Sequence, residues 1–238
     1  TKPLVKALDV ASHIILKMVN YVMNFAPIGV FGALAAVVAA KGLGIFQFYL
    51  IYFLYFLLGI AILWLLLIGV GFLILGPQRM KVLLRRISGP LLIAFSTTSS
   101  EAVFPKLTEE LERFGCKDKI VAFVLPLGYS FNLDGSMMYM TFASIFIAQV
   151  YGVELDLSTQ MTMLMVLMLT SKGIAGVPRA SLVIIAGTLT MFNLPAEGIA
   201  LLLGVDPFLD MGRTATNVVG NAVATVAVSK MEGEEIHH

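Results

Sequence analysis

Of the 238 residues, 58% are hydrophobic and 13% charged, about half the charged fraction of a soluble domain, and the mean hydropathy is +0.91. That composition excludes a water-soluble fold, and a formal net charge of +1 excludes a broad basic surface for nucleic acid. The single cysteine, Cys116, excludes an intrachain disulfide framework.

The chain opens on Thr1 rather than Met and carries no secretory leader pattern, so it is expected to begin partway through a longer protein. The first apolar stretch, 7–40, is interrupted by Pro27, which predicts a kink, and His13 within it reads as an interfacial residue. The stretch 45–76 has no charged residue and exceeds the ~20 residues that cross a bilayer, so it is a tilted span. Two short apolar pieces follow, 87–97 and 102–111, meeting at Ser96-Thr-Thr-Ser-Ser-Glu101. An arm of that length reaches only about half the hydrocarbon core, so the pair (87–113) reads as a hairpin that enters and turns back.

The span 119–150 carries Asn132-Leu-Asp-Gly135 inside it and is predicted to be a broken helix. A second pair of short arms, within 159–193, flanks Ser171-Lys-Gly-Ile-Ala-Gly-Val-Pro178, whose glycines and proline suit a hairpin tip. The polar span 196–230 ends the chain, and His237 and His238 are given no role. Met161, Met163, Met165 and Met168 read as lipid-facing or core side chains, not as metal ligands.

The positive-inside rule agrees with this order. Lys2 and Lys6 place the start inside, as do Arg79, Lys81, Arg85 and Arg86 after the second span, and Lys106, Arg113, Lys117 and Lys119 after the first hairpin. Glu154, Asp156 and Glu197 fall outside, and Lys230 returns inside. The hairpins then enter from opposite faces, an inverted repeat of the kind that builds alternating-access transporters. Irregular backbone at mid-depth is tolerated where it lines a cavity.

In the last span Asp206, Asp210, Arg213, Asn217 and Asn221 recur at helical spacing, with Thr214 at the edge of that face. Each charge costs about 2.5–3.5 kcal/mol at a helix centre, so the stripe must be paired or solvated. Arg213 offers a planar fork to a carboxylate, Asp210 accepts from an ammonium, and Thr214 and Asn217 suit a second carboxylate, a set that describes a small acidic amino acid. The structural alternative is a bare Asp210–Arg213 pair. Asn132 and Asp134 supply the hard oxygens a Na⁺ site needs, the alternative being an Asp that caps its own broken helix.

The segments Asn132-Leu-Asp-Gly-Ser136, Ala175-Gly-Val-Pro178 and Leu209-Asp-Met-Gly-Arg-Thr214 with Asn217 resemble the dicarboxylate/amino acid:cation symporters, the glutamate transporter family. The resemblance runs along the whole chain, although family members begin with several further helices. It implies an all-α membrane protein of the multi-pass, bacterial inner-membrane type, with a scaffold-like kinked span in 1–44 and a transport domain in 45–238. It also implies a homotrimer in the full-length parent. Substrate would be held by Ser99, Ser100, Ser136, Gly176, Val177, Asp210, Arg213, Thr214 and Asn217. Na⁺ would be held around Gly128, Ser130, Asn132, Asp134, Ser171, Asn217 and Asn221, with the second hairpin as outer gate.

Several positions depart from the sodium-coupled archaeal pattern: Thr98 for a tip arginine, Glu101 for a serine, Arg179 for a small residue and Asn221 for a cation-binding aspartate. Met140 also lacks the acid that resembles the proton carrier of animal members. The expected function is uptake of glutamate or aspartate coupled to H⁺, Na⁺ or both, with Glu101 as proton carrier and Arg179 as fixed positive charge; the plainer alternative is a Glu101–Arg179 salt bridge between the tips. C4-dicarboxylate:cation symport is the runner-up, favoured by Glu101 and Asn221 and opposed by Asp210. No enzyme and no organic cofactor are expected: an aspartyl protease pair of Asp134 and Asp210 is opposed by Arg213, which keeps its neighbour ionised. Two sealed tips likewise favour a gated carrier over an open pore.

Overall fold

A computed structural model describes residues 24–173 and 179–233, together with positions 3, 6, 7, 10, 11, 14, 17, 18 and 21. Lys2, His13, Gly176, Val177, His237 and His238, and with them the whole of the Ala175–Pro178 motif, lie outside the described residues. The helices are α1 (Ala26–Lys41), α2 (Ile45–Leu75), α3 (Pro77–Thr97), α4 (Ser100–Phe114), α5 (Asp118–Phe131), α6 (Asp134–Val150), α7 (Leu157–Thr170), α8 (Ser181–Met191), α9 (Ile199–Leu203) and α10 (Asp206–Met231). No strand occurs among the described residues. Pro27 lies in the first turn of α1, where its missing N–H costs no bond, so the expected interruption is a helix start.

α2 is long and apolar enough to cross a membrane; at 31 residues it extends about 46 Å. Its apolar surface is bare: Leu54, Leu65 and Leu73 are 57%, 72% and 88% exposed. Such a surface is stable against hydrocarbon and not against water. The methionines of α7 divide as their type allows, Met163 buried in the core and Met161, Met165 and Met168 exposed.

α3 corrects the expected arm. It starts at Pro77 and runs 21 residues, about 31 Å, instead of beginning near residue 87. The added turns carry Arg79, Lys81, Arg85 and Arg86, yet Met80, Leu83, Ile87, Pro90 and Ala94 are buried at intervals of three and four, an amphipathic face that an apolar run does not reveal. Thr98, in left-handed conformation at φ 53°, and Ser99, which caps α4 through Ala102 N at 3.4 Å, then join α3 to α4, and the two helices pack together. α7 and α8 likewise pack on one another.

The expected last span is also divided. A 3₁₀ turn at Ala196–Gly198 and the short α9 precede α10, which is the hub of the fold and packs against α2, α3, α4, α5 and α6. Arg213 to Val223 are all buried, so this helix is enclosed on every side rather than along one polar stripe. Two apolar clusters grip it. One joins α2, α6, α7, α8 and α9 and reaches Leu209; the other joins α3, α4 and α5 and takes in Val218, Val219, Ala222, Val223 and Val226. The polar residues 210–217 fall between the two.

Candidate functional site

This polar layer is built where α10 crosses the break between α5 and α6. A broken helix leaves unpaired N–H groups at one new end and unpaired carbonyls at the other. Here other elements satisfy both. Asn217 Oδ1 accepts from Gly135 N at 2.9 Å and Ser136 N at 3.2 Å, capping α6 from a different helix, while its Nδ2 donates to Ser136 Oγ at 2.9 Å. Lys172 Nζ donates to the Phe131 carbonyl at 2.8 Å at the C-terminal end of α5. Asp134 occupies the first turn of α6 and, among the described residues, its side chain makes no capping hydrogen bond, so the self-capping alternative finds no support there.

The close approach depends on missing side chains. A Cβ on Gly135 would run into the Arg213 carbonyl, one on Gly220 into Asp134 Oδ2, and one on Gly128 into Asn221 Oδ1. Asn132 Nδ2 donates to Asn221 Oδ1 at 3.2 Å, which places Asn132, Asp134, Gly128 and Asn221 around one locus. Ser171 is buried and donates to the Met168 carbonyl at 3.0 Å, whereas Ser130 is exposed. Asn217→Ala is expected to leave the Gly135 and Ser136 N–H groups buried without an acceptor and to cost about 2 kcal/mol. A lowered thermal unfolding midpoint of the purified full-length protein checks this; Asn217→Asp, which keeps the acceptor, should restore most of it.

One turn away stand the charges. Asp210 and Arg213 are 1% and 4% exposed. Asp210 Oδ1 accepts from Arg213 Nε at 2.8 Å, from Arg213 Nη2, and from Thr214 Oγ1 at 3.0 Å. Asp210 Oδ2 accepts from the Arg179 backbone N–H at 3.0 Å. Arg213 Nη1 also donates to Ser181 Oγ of α8, and its guanidinium lies 5.7 Å from the Tyr139 ring centre. The pair anticipated as a structural alternative is therefore present, but it is tied to α8 and to Arg179 as well as to its own helix.

Asp206 does not join that pair. Tyr139 donates to its Oδ1 at 2.6 Å, and Arg179 Nε lies 3.4 Å from its Oδ2. Arg179 is thus paired with Asp206 and not with Glu101, which is exposed and has no ion pair among the described residues. Ser100 is buried at the start of α4 and Ser99 serves as its cap; neither Ser100 nor Glu101 bonds to Asp210 or Arg213 among the described residues. Tyr139, Ser181 and Lys172 were not singled out from sequence. Trp64, whose Nε1 donates to Thr216 Oγ1 at 2.8 Å and ties α2 to this layer, was also missed. Only Tyr139 had a usable signal, standing three residues beyond Ser136 on the same helical face. A separate cavity of about 480 Å³ opens between α2 and α6 among Phe48, Tyr55, Phe142 and Val150, and no charged residue lines it.

These features define a helical membrane protein built around a buried charged layer. The chain belongs to the sodium:dicarboxylate symporter family, whose model matches residues 1–231. It is 43% identical over 234 residues to a proton/sodium-glutamate symport protein of Bacillus subtilis, covering 98% of this chain and 54% of that protein. It is 40% identical over 242 residues to a C4-dicarboxylate transport protein of the same organism, covering 98% of this chain and 55% of that one. A proton/glutamate-aspartate symporter of Escherichia coli is 42% identical over 232 residues, with 97% and 53% covered. The chain therefore spans about half the length of these relatives.

Proposed function

We propose that this chain forms the substrate-carrying part of a secondary symporter that takes up glutamate or aspartate together with cations. The observation that carries the proposal is the buried juxtaposition of Asp210 and Arg213 on one turn of α10. An acceptor for an ammonium beside a forked donor for a carboxylate fits an acidic amino acid, and a substrate takes the place of the contacts the two side chains make with each other. Ser136, Thr214 and Asn217 stand near enough to serve the remaining carboxylate, with Ser99, Ser100, Gly176 and Val177 contributed by the hairpin tips.

On this reading α3–α4 and α7–α8 are re-entrant hairpins in an inverted repeat, 45–238 is the moving domain, and 1–44 belongs to a scaffold that is trimeric in the full-length protein. Movement is elevator-like, and α7–α8 is the outer gate. Na⁺ is held at the locus of Gly128, Asn132, Asp134 and Asn221, with Ser130, Ser171 and Asn217 at its margins. The neutral Asn221 weakens that site, so protons drive uptake at least in part.

Relatives named for glutamate and for C4-dicarboxylates are nearly equally similar, so the site must decide between them. A plain dicarboxylate leaves Asp210 facing an anion, which disfavours it. Titration of the purified full-length protein with aspartate, glutamate and succinate, with and without Na⁺, tests the assignment. Both amino acids should bind at least about tenfold more tightly than succinate, the loss of one ammonium contact of about 1.4 kcal/mol. Tighter binding of succinate would establish the dicarboxylate alternative.

A further inference from the structure

Of the two buried acids on α10, Asp210 has its charge met within its own helix, and Asp206 does not. Asp206 is 1% exposed and depends on other elements. Tyr139 of α6 donates to Oδ1 and Arg179 approaches Oδ2, and Tyr52 of α2 has a buried hydroxyl within electrostatic reach of it that makes no hydrogen bond among the described residues. Asp210 and Arg213, of opposite sign, are the charged groups of its own helix that act on it. Among the described residues Oδ2 accepts no hydrogen bond and has only the Arg179 ion pair. Among the described residues, Arg179 is therefore the one ion-pair partner brought to Asp206 from outside α10.

Arg179 is only partly buried, its side chain 20% exposed. It stands where the chain turns into α8, in left-handed backbone conformation at φ 63°, and the same residue gives its N–H to Asp210. One residue of the proposed gate thus ties to both acids at once. An ammonium arriving on Asp210 takes the place of that N–H and draws Arg179 away from Asp206. A carboxylate so deeply buried, left without its counter-ion beside two phenols, binds a proton in preference to staying charged.

We propose that Asp206 is the proton-coupling carboxylate and that Arg179 sets its protonation according to whether substrate occupies Asp210. The proton comes from the solution on the side to which the gate opens and binds Oδ2. It crosses with the substrate, and is released on the other side when the substrate leaves and Arg179 returns to Asp206. One substrate and one proton move together, and nothing is left over on the protein. This deepens the symport reading and rests on it.

The test uses the full-length protein in proteoliposomes, with labelled substrate exchange and pH-driven accumulation measured side by side. One proton carried down one pH unit supports about tenfold accumulation. The wild type and Glu101→Gln should approach that value without Na⁺, whereas Asp206→Asn should accumulate nothing above equilibrium while still exchanging substrate. Wild-type accumulation in Asp206→Asn, or its loss in Glu101→Gln alone, would overturn the assignment. If Asp206→Asn fails to exchange at all, Arg179→Gln decides: without the guanidinium Asp206 keeps its proton in more alkaline solution, so the pH at which uptake is half-maximal should rise by about one unit, and an unshifted profile overturns the proposal. Absence of exchange in the wild type would instead bring down the symport reading itself.

Discussion

Replacing Arg213 with Ala is expected to abolish binding of acidic substrates, with affinity for aspartate and glutamate falling by about 100-fold or more. The guanidinium is buried, held by Asp210, Ser181 and the Tyr139 ring, so its fork is fixed in place before a ligand arrives. A charge-assisted hydrogen bond contributes about 1.5–3 kcal/mol, and a bidentate pair provides two. The variant removes the partner of the side-chain carboxylate and leaves Asp210 and Thr214 to bind what remains, so neutral amino acids should be admitted where acidic ones are lost. Calorimetric titration with aspartate and with a neutral amino acid such as serine measures both changes. Aspartate binding undiminished in the variant would sink the assignment of Arg213.

The architecture was legible wherever chemistry repeats along the chain. The charge-free run of α2, the break at Asn132–Leu133 and the spacing of Asp206, Asp210, Arg213, Asn217 and Asn221 all lie where composition and periodicity placed them. The first turns of α3 were not, because their apolar face is interleaved with four basic residues and reads as a loop when only unbroken apolar runs are counted. Within the site, sequence supplied residue types but not direction. It placed Glu101 and Arg179 at turns between short helices, yet which acid Arg179 meets depends on how α8 is set against α10, and the meeting is with Asp206. Ser181, Tyr139 and Trp64 are neutral residues in apolar runs. Their partners lie 32, 67 and 152 positions away, and only Tyr139, one turn beyond Ser136, carried a local hint that it joins the site.

Asp210→Asn is the change that separates an amino acid carrier from a dicarboxylate carrier, and it should weaken glutamate and aspartate by about 100-fold while succinate loses far less. Both oxygens of Asp210 accept: Oδ1 from Arg213 and Thr214, Oδ2 from the Arg179 N–H. An amide keeps one acceptor and turns a pair of hydrogens toward donors, so the variant loses its charge for an ammonium and its fit to the neighbouring N–H groups. Succinate brings no ammonium and is repelled by the native carboxylate, so for it the lost charge offsets the lost geometry. Breaking a buried ion pair also costs about 3–5 kcal/mol of stability, because Arg213 is left uncompensated. For that reason the ratio of glutamate to succinate uptake in one preparation is the quantity to measure, with a thermal melt alongside it. A ratio that falls at least tenfold identifies Asp210 as the ammonium acceptor. Equal loss of both substrates assigns it instead to holding Arg213 and the Arg179 turn in place.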